Sequence, residues 1–342
     1  MNTMKKLYGF SLVELMIAMT ISLVLMLGVA TIMINTKRTY NVQQDKTQVQ
    51  ENARFAMEFL NKHLRMSGYF GCSGTVPTNI TPLQGQDNIS RANLVTDLYP
   101  SDVILVSFID SEQAAFSVLH ESPAPLNASP LQAGQKVFTF TNRGELFPND
   151  QVIASDCGGS DRYEVESIDD TSNQVTLKTS LVRTYSNGNQ SYGAQLGRLV
   201  TYRYFVAATD DGFSLFRDKD KNASNSSLKF NDPLDTNSEN VEELIQGVEN
   251  MQIRYGVDTD SDGAINQYQT STQVNNNWNN VISVRITLLV NTIKERLDQE
   301  EDTGTYVLDP NLTYNSNGAP IDHRRRIIFT TTVMLRNNST TM

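Results

Sequence analysis

The chain is expected to fold as an α+β protein, a long N-terminal helix packed on a β-rich globular head. Three observations predict this. Residues 10–34 form an apolar run interrupted by a single charge, Glu14. Residues 36–66 contain no Pro and no Gly and keep apolar side chains on one helical face. After Gly68 the turn residues become dense and the apolar runs short, as in strands joined by loops. Of 342 residues, 39% are hydrophobic and 19% charged, which excludes a polytopic membrane protein and leaves room for one spanning segment. A formal charge of −10 argues against a surface that coats nucleic acid. Two cysteines are too few for a dense disulfide scaffold or a four-cysteine zinc site.

The first element is the apolar run. About 20 apolar residues cross a bilayer as a helix, and residues 10–34 exceed that. Lys5 and Lys6 precede the run and favour a cytoplasmic N-terminus, although Lys37 and Arg38 follow it. A secretory signal would have a shorter apolar core and a small-x-small cleavage site. The remainder of the chain is therefore expected outside the cytoplasm. Glu14 is costly in such a helix, by roughly 2.5–3.5 kcal/mol at the membrane centre and less near the interface. Either it lies close enough to the headgroups to stay hydrated, or it has a partner.

Lys5-Lys6-Leu7-Tyr8-Gly9, followed by Phe10-Ser11-Leu12-Val13-Glu14-Leu15, resembles the type IV prepilin signature. In that signature a short basic leader ends in Gly, Phe follows, and Glu stands at the fifth mature position. The resemblance implies that residues 1–9 are a leader, that a prepilin peptidase cuts between Gly9 and Phe10, and that the new amine of Phe10 is methylated. Residues 10 and 14 are one helical turn apart, a rise of about 6 Å. Glu14 could then neutralise the N-terminus of a neighbouring subunit and set helix register, since an unpaired charge in an apolar core is costly. Loss of Lys5 and Lys6 would make the mature chain more acidic by two charges.

The second element continues the helix. Val42, Val49, Ala53, Ala56, Leu60 and Leu64 define one face, Phe55 and Phe59 widen it, and Gly68 is a stop signal. One helix over residues 10–66 would be about 85 Å long. A membrane anchor followed by a separate coiled-coil stalk is the alternative. The broadening of the apolar face near residues 53–64 favours a spine whose outer half carries the head, residues 67–342.

The third element is the head. Strands are expected at 103–109, 136–141, 151–154, 162–168, 174–179, 199–207, 213–217, 248–255, 282–291 and 327–336. Asp210-Asp211-Gly212 reads as a hairpin turn. Residues 77–96, 218–240 and 269–280 are rich in Asn, Ser and Asp and read as loops. No repeat at a fixed period is visible.

Segments along the whole chain are similar to the PilW family of minor pilins. They are Glu51-Asn52-Ala53-Arg54-Phe55-Ala56, Leu64-Arg65-Met66-Ser67-Gly68-Tyr69-Phe70-Gly71-Cys72, Ser155-Asp156-Cys157, Ile253-Arg254-Tyr255-Gly256-Val257-Asp258, and the stretch from Arg324-Arg325-Arg326 to Leu335-Arg336-Asn337. The resemblance implies a head of two antiparallel sheets. It also implies a low-abundance, non-enzymatic pilin held in the inner membrane, with its head in the periplasm, until assembly. Such a subunit primes the pilus and sits near its tip with other minor pilins. Its partners would be those pilins, the major pilin, the prepilin peptidase, the inner-membrane assembly platform and, in some systems, a tip adhesin. The rivals are a type II secretion pseudopilin, and a signal-anchored adhesin or enzyme with an accidental pilin-like start.

Cys72 and Cys157 are the only thiols, and in an oxidising compartment they most simply form a bridge; two separate buried thiols are the alternative. Asp258, Asp260 and Asp262 occupy positions 1, 3 and 5 of a loop with Gly263 at position 6, the first half of a calcium loop. The twelfth position is Gln269 rather than the bidentate Glu. A shorter calcium loop would be closed by the Ala264 carbonyl, by Asn266 or by a distant carboxylate; an acidic turn between strands is the alternative. No metal is required by any other feature. His63, expected on the helix surface, His120 and His323 are isolated, and no nucleophile or phosphate-loop motif is present. Arg324-Arg325-Arg326 reads as a solvated turn or a salt-bridge contact between subunits in preference to a DNA contact.

Overall fold

The computed structural model describes residues 11–71, 75–90, 99–109, 131–139, 146–185, 195–220, 240–296, 301–310, 312–315 and 322–337. The chain divides into two compact units, Met1–Gln50 and Glu51–Met342. Helix α1, Leu12–Met66, begins in the first unit and ends in the second.

In the first unit the apolar stretch of α1 from residue 12 to 34 presents its large side chains outward, with Leu12 77% and Met26 76% exposed. The stretch is about 35 Å long at 1.5 Å per residue, enough to cross a hydrocarbon layer of about 30 Å. Its threonines satisfy themselves: Thr20 Oγ1 donates to Ile17 O at 2.8 Å and Thr31 Oγ1 to Leu27 O at 2.9 Å. Neither hydroxyl therefore needs water or a neighbour.

The second unit starts on residues 51–66 of α1. Ala53, Ala56, Leu60 and Leu64 are buried as their spacing predicts. Phe55 and Phe59 do not widen this face. Each is 38% exposed, because an i, i+4 pair one or two positions away from the buried set is rotated towards solvent. Gly68 ends the helix as expected. Its φ is +76°, its N–H donates to Ser107 O at 3.0 Å, and a Cβ there would lie 2.8 Å from Asn337 O.

The strands are β1 Leu83–Ile89, β2 Ser101–Ile109, β3 Val137–Thr139, β4 Gln151–Asp156, β5 Gly159–Asp169, β6 Gln174–Leu177, β7 Gln195–Thr209 and β8 Gly212–Asp220. They continue with β9 Val241–Gln246, β10 Val248–Val257, β11 Gln267–Gln269, β12 Val281–Asn291, β13 Thr305–Asp309, β14 Leu312–Asn315 and β15 Arg326–Met334; the short helix α2, Ser271–Val274, lies between β11 and β12. A nine-stranded sheet runs β1-β2-β7-β4-β5-β6-β3, with β8 on β7 and β9 on β8. A four-stranded sheet runs β11-β10-β12-β15, and β13-β14 form a separate hairpin. All the pairings are antiparallel. Where two sheets were expected, the described residues thus form three, the third being a hairpin too small to count as a layer.

Each strand expected from the sequence is present, with ends displaced by up to four residues. Thr209 pairs with Gly212 across Asp210-Asp211, so the hairpin turn is as expected. The expected loop at 77–96 instead contains β1, and that at 269–280 contains α2. Strand β1, Leu-Gln-Gly-Gln-Asp-Asn-Ile, has too few apolar residues to show a period and is a strand because β2 pairs with it. Residues 221–239, most of the third expected loop, lie outside the described residues.

The apolar interior is divided. Leu131, Phe138, Val152, Val165, Leu177 and Tyr185 belong to one cluster around β3–β6 and the start of β7. Val103, Leu105, Phe205, Ala207 and Phe216 form another across β2, β7 and β8. Leu289, Leu308 and Tyr314 form a third, which seats the β13–β14 hairpin on β12.

Candidate functional site

Gly9 and Phe10 lie outside the described residues. Glu14 stands in the first turn of α1 with its side chain exposed. The first turn also carries the uncapped N–H groups of the helix, so a carboxylate there is favoured by the helix dipole. Leu15 N donates to Ser11 O at 3.2 Å, so the helical pattern already holds one residue after Phe10. Among the described residues α1 is the one helix long and apolar enough to cross a membrane.

Cys157 occupies the tight turn between β4 and β5, and Cys72 lies outside the described residues. The segments on either side of Cys72 are in place. A Cβ on Gly71 would fall on the Ser155 side chain, and Ser160 Oγ donates to Thr75 O at 2.6 Å. Arg183 braces the same turn through Asp156 at 3.2 Å and Asp161 at 2.9 Å.

Asp258, Asp260 and Asp262 converge in the loop between β10 and β11, each with a carboxylate oxygen within 4.8 Å of the others. Asp258 is buried and the other two are exposed. Asp258 Oδ1 accepts Ser261 N at 2.7 Å and Oδ2 accepts Gly263 N at 2.8 Å. The Gly263 amide leads the effects that hold its carboxyl below the usual range. Gly263 makes the bend with φ +84°. Asp262 Oδ1 accepts Ala264 N at 2.8 Å, and Asn266 Oδ1 accepts Thr259 N at 2.6 Å. Gln269 ends β11, so strands flank the loop where an EF-hand would have helices.

Two features were misread in the sequence. His63 is buried, not on the helix surface. It shares a hydrogen bond with the Tyr204 hydroxyl, stacks on Phe108 at 5.5 Å and meets Tyr202 edge-on at 5.0 Å. Its i+3 spacing from Leu60 was the available signal. The Arg324-Arg325-Arg326 cluster is fully exposed only at Arg325. Arg324 Nη2 donates to Asp211 O at 3.0 Å, and the Arg326 side chain is 2% exposed.

Arg326 sits among three carboxylates. Nε and Nη2 bond Glu249 at 2.7 and 3.2 Å, Nη1 bonds Asp302 at 2.8 Å, and Nη1 and Nη2 bond Asp322 at 2.8 and 2.7 Å. All five guanidinium N–H groups are therefore used. Burial disfavours the charge, yet the bonds to Asp322 and Glu249 outweigh it and push the group further towards permanent protonation. The arrangement locks structure and offers no nucleophile or proton-transfer pair.

A helix that can span a membrane, with an acidic residue in its first turn and a β-rich head after it, fits the α+β fold of a prepilin-type filament subunit. The prokaryotic N-terminal methylation motif matches residues 4–30. The family described as type IV pilus-assembly protein W matches residues 203–337, from within β7 to just past β15. Together these matches support a PilW-family type IV pilin, the first covering the start of the helix and the second the C-terminal part of the head. No curated protein sequence matches it. Both families are structural, membership implies interaction with other pilus components, and the motif and helix fit membrane anchoring before assembly.

Proposed function

We propose that the chain is a minor pilin, without catalytic activity, that primes pilus assembly and resides near the pilus tip with other minor pilins. The observation that carries this reading is the methylation-motif match on a spanning helix joined to a PilW-type head. Prepilin peptidase removes residues 1–9, Phe10 becomes the methylated N-terminus, and Glu14 pairs with the terminal amine of a neighbouring subunit. Before assembly the helix is held in the inner membrane with the head in the periplasm. The assembly platform, the major pilin and, where present, a tip adhesin are its partners. Cys72 and Cys157 form a bridge that ties the start of the head to the β4–β5 turn; the Gly71–Ser155 and Thr75–Ser160 contacts bracket both positions and favour it. The Asp258–Asp260–Asp262 loop takes calcium weakly.

Mass spectrometry of the mature N-terminus tests the pilin reading: a methylated Phe10 is expected, and an intact Met1 or a cut elsewhere refutes it. Deletion of the gene is expected to abolish or reduce surface pili. A protein-export defect with normal piliation would refute the pilus role and favour the secretion pseudopilin.

A further inference from the structure

Strand β10 pairs with β12 along one edge, but on its other edge it pairs with β11 only from Tyr255 to Val257. Upstream, side chains from the start of β2 take the place of a strand. Ser101 Oγ accepts from Met251 N and donates to Met251 O, both at 3.0 Å. Asp102 Oδ2 accepts Ile253 N at 2.7 Å. Its other oxygen, Oδ1, accepts Asn88 N at 2.9 Å, where the register of β1 shifts and Asn88 has φ +57°. One carboxylate thus holds an amide from each of the two larger sheets.

Asp102 is 4% exposed and lines a cavity of about 100 Å³ with Asp87, Gln252, Arg254, Thr270 and Asp309. The charged groups facing it come from three strands. Asp87 on β1 accepts the amides of Ser271 and Thr272, both at 2.9 Å. Arg254 on β10 forks onto Asp309 at the end of β13. Among the described residues Asp102 is therefore hydrogen-bonded by amides alone, with a like charge on one side and an already engaged arginine on the other.

We propose that Asp102 is a proton-operated joint between the two larger sheets of the head: as a carboxylate it clasps an amide from each, and as a neutral acid it releases one. An ionised carboxylate accepts on both oxygens, whereas protonation turns one oxygen into a donor that faces an N–H. The polar cavity has room for a water to take up the released amide. Burial supports operation near neutrality, pushing the carboxyl up to about 7 against the pull of the Asn88 and Ile253 amides.

Hydrogen–deuterium exchange of the full chain in detergent, at about pH 8 and about pH 5.5 and corrected for intrinsic exchange, tests this. A charge-assisted bond is replaced by a weaker one, so protection of the released amide, Ile253 or Asn88, should fall about tenfold at the lower pH. The amides of residues 286–288 in β12 should not respond. Asp102→Asn, with a single accepting oxygen, should give low protection of one of these two amides at both pH values. Unchanged wild-type protection of both Ile253 and Asn88, or a variant that still responds to pH, would overturn the joint. If the variant does not fold, the ¹³C-carboxyl spectrum of aspartate-labelled wild type decides. A buried carboxyl titrating over the range where protection changes supports the joint, and its absence overturns it.

Discussion

Replacing Arg326 by Met should be among the most damaging single changes in the head. The guanidinium supplies two bonds to Glu249, two to Asp322 and one to Asp302. Methionine fills much of the volume but leaves three carboxylates facing one another. Part of the loss is cushioned. Glu249 keeps Tyr314 Oη at 2.5 Å and Asn291 Nδ2 at 3.1 Å, and Asp302 keeps Tyr306 Oη at 3.1 Å and Gly304 N at 3.0 Å. Removing one partner of a buried ion pair costs about 3–5 kcal/mol, and this site belongs in that range. With an unfolding entropy of about 2.1 cal/mol/K per residue, a head of roughly 290 residues moves its midpoint by about 1.6 °C per kcal/mol, so a fall of about 5–8 °C is expected. Thermal unfolding of the full chain in detergent, followed by near-ultraviolet circular dichroism, measures it. Arg326→Lys, with three donors on one nitrogen, should fall in between. A midpoint within about 2 °C of wild type at neutral pH would show that the cluster does not hold the strand.

Asp102 gives a global pH effect opposite to the local one at its amides. Its carboxyl is raised from 3.8 to about 7, so the folded state binds the extra proton between those values and stability falls as pH rises through that window. The span corresponds to about 4 kcal/mol, and Asp102→Asn should remove this slope; a wild-type-minus-variant difference that stays constant from pH 4 to 8 would refute it. At Gly85 a Cβ would fall on the hydroxyl of Tyr255, which is buried against Trp278, so Gly85→Ala should cost about 1–3 kcal/mol of head stability in denaturant titration. Glu14→Ala should leave cleavage after Gly9 intact but exclude the subunit from sheared pili, scored by immunoblot; normal incorporation would remove its register role. Calorimetry of the full chain should show weak calcium heat that Asp260→Ala abolishes, and no heat in the wild type would discard the site.

What could be read from the sequence was whatever depends on neighbours along the chain. The apolar run, the helical face through Leu60 and Leu64, the stop at Gly68 and the strands with alternating or β-branched residues each carry a local period. What could not be read depends on partners far away. Arg326 meets Glu249 from 77 positions off, and nothing in Arg-Arg-Arg marks the third as the buried one. Strand β1 has its apolar residues only at Leu83 and Ile89, so its conformation is imposed by β2. Asp102 reads as a polar start to a strand, and only the open edge of β10 makes it a bridge.

The placement of buried charge also explains how the last strand finds its register. Residues 326–334 read Arg-Ile-Ile-Phe-Thr-Thr-Thr-Val-Met, and β15 pairs with β12 from Asn291–Arg326 to Ser283–Met334. The apolar pattern specifies this weakly. Ile327 and Ile328 can exchange faces, and the run Thr330-Thr331-Thr332 looks alike after a one-residue shift. Such a shift inverts every side chain of a strand. It would turn Arg326 away from Glu249, Asp302 and Asp322 and leave three clustered carboxylates, two of them buried, without this cation. The same device recurs nearby, where Arg203 on β7 meets Asp218 on β8 at 2.6 Å with both side chains nearly covered, and Arg254 on β10 forks onto Asp309. All these residues fall within the stretch that matches the pilus-assembly family. The β3–β6 region, outside that match, has its own apolar cluster, exposed pairs such as Lys136–Glu166 at 2.7 Å, and one largely covered pair, Asp150–Arg198 at 3.1 Å. A buried pair contributes little net stability over an apolar packing of the same shape, but it strongly penalises the wrong arrangement. In β15 the wrong arrangement is one residue away, and Arg326 is the residue that excludes it.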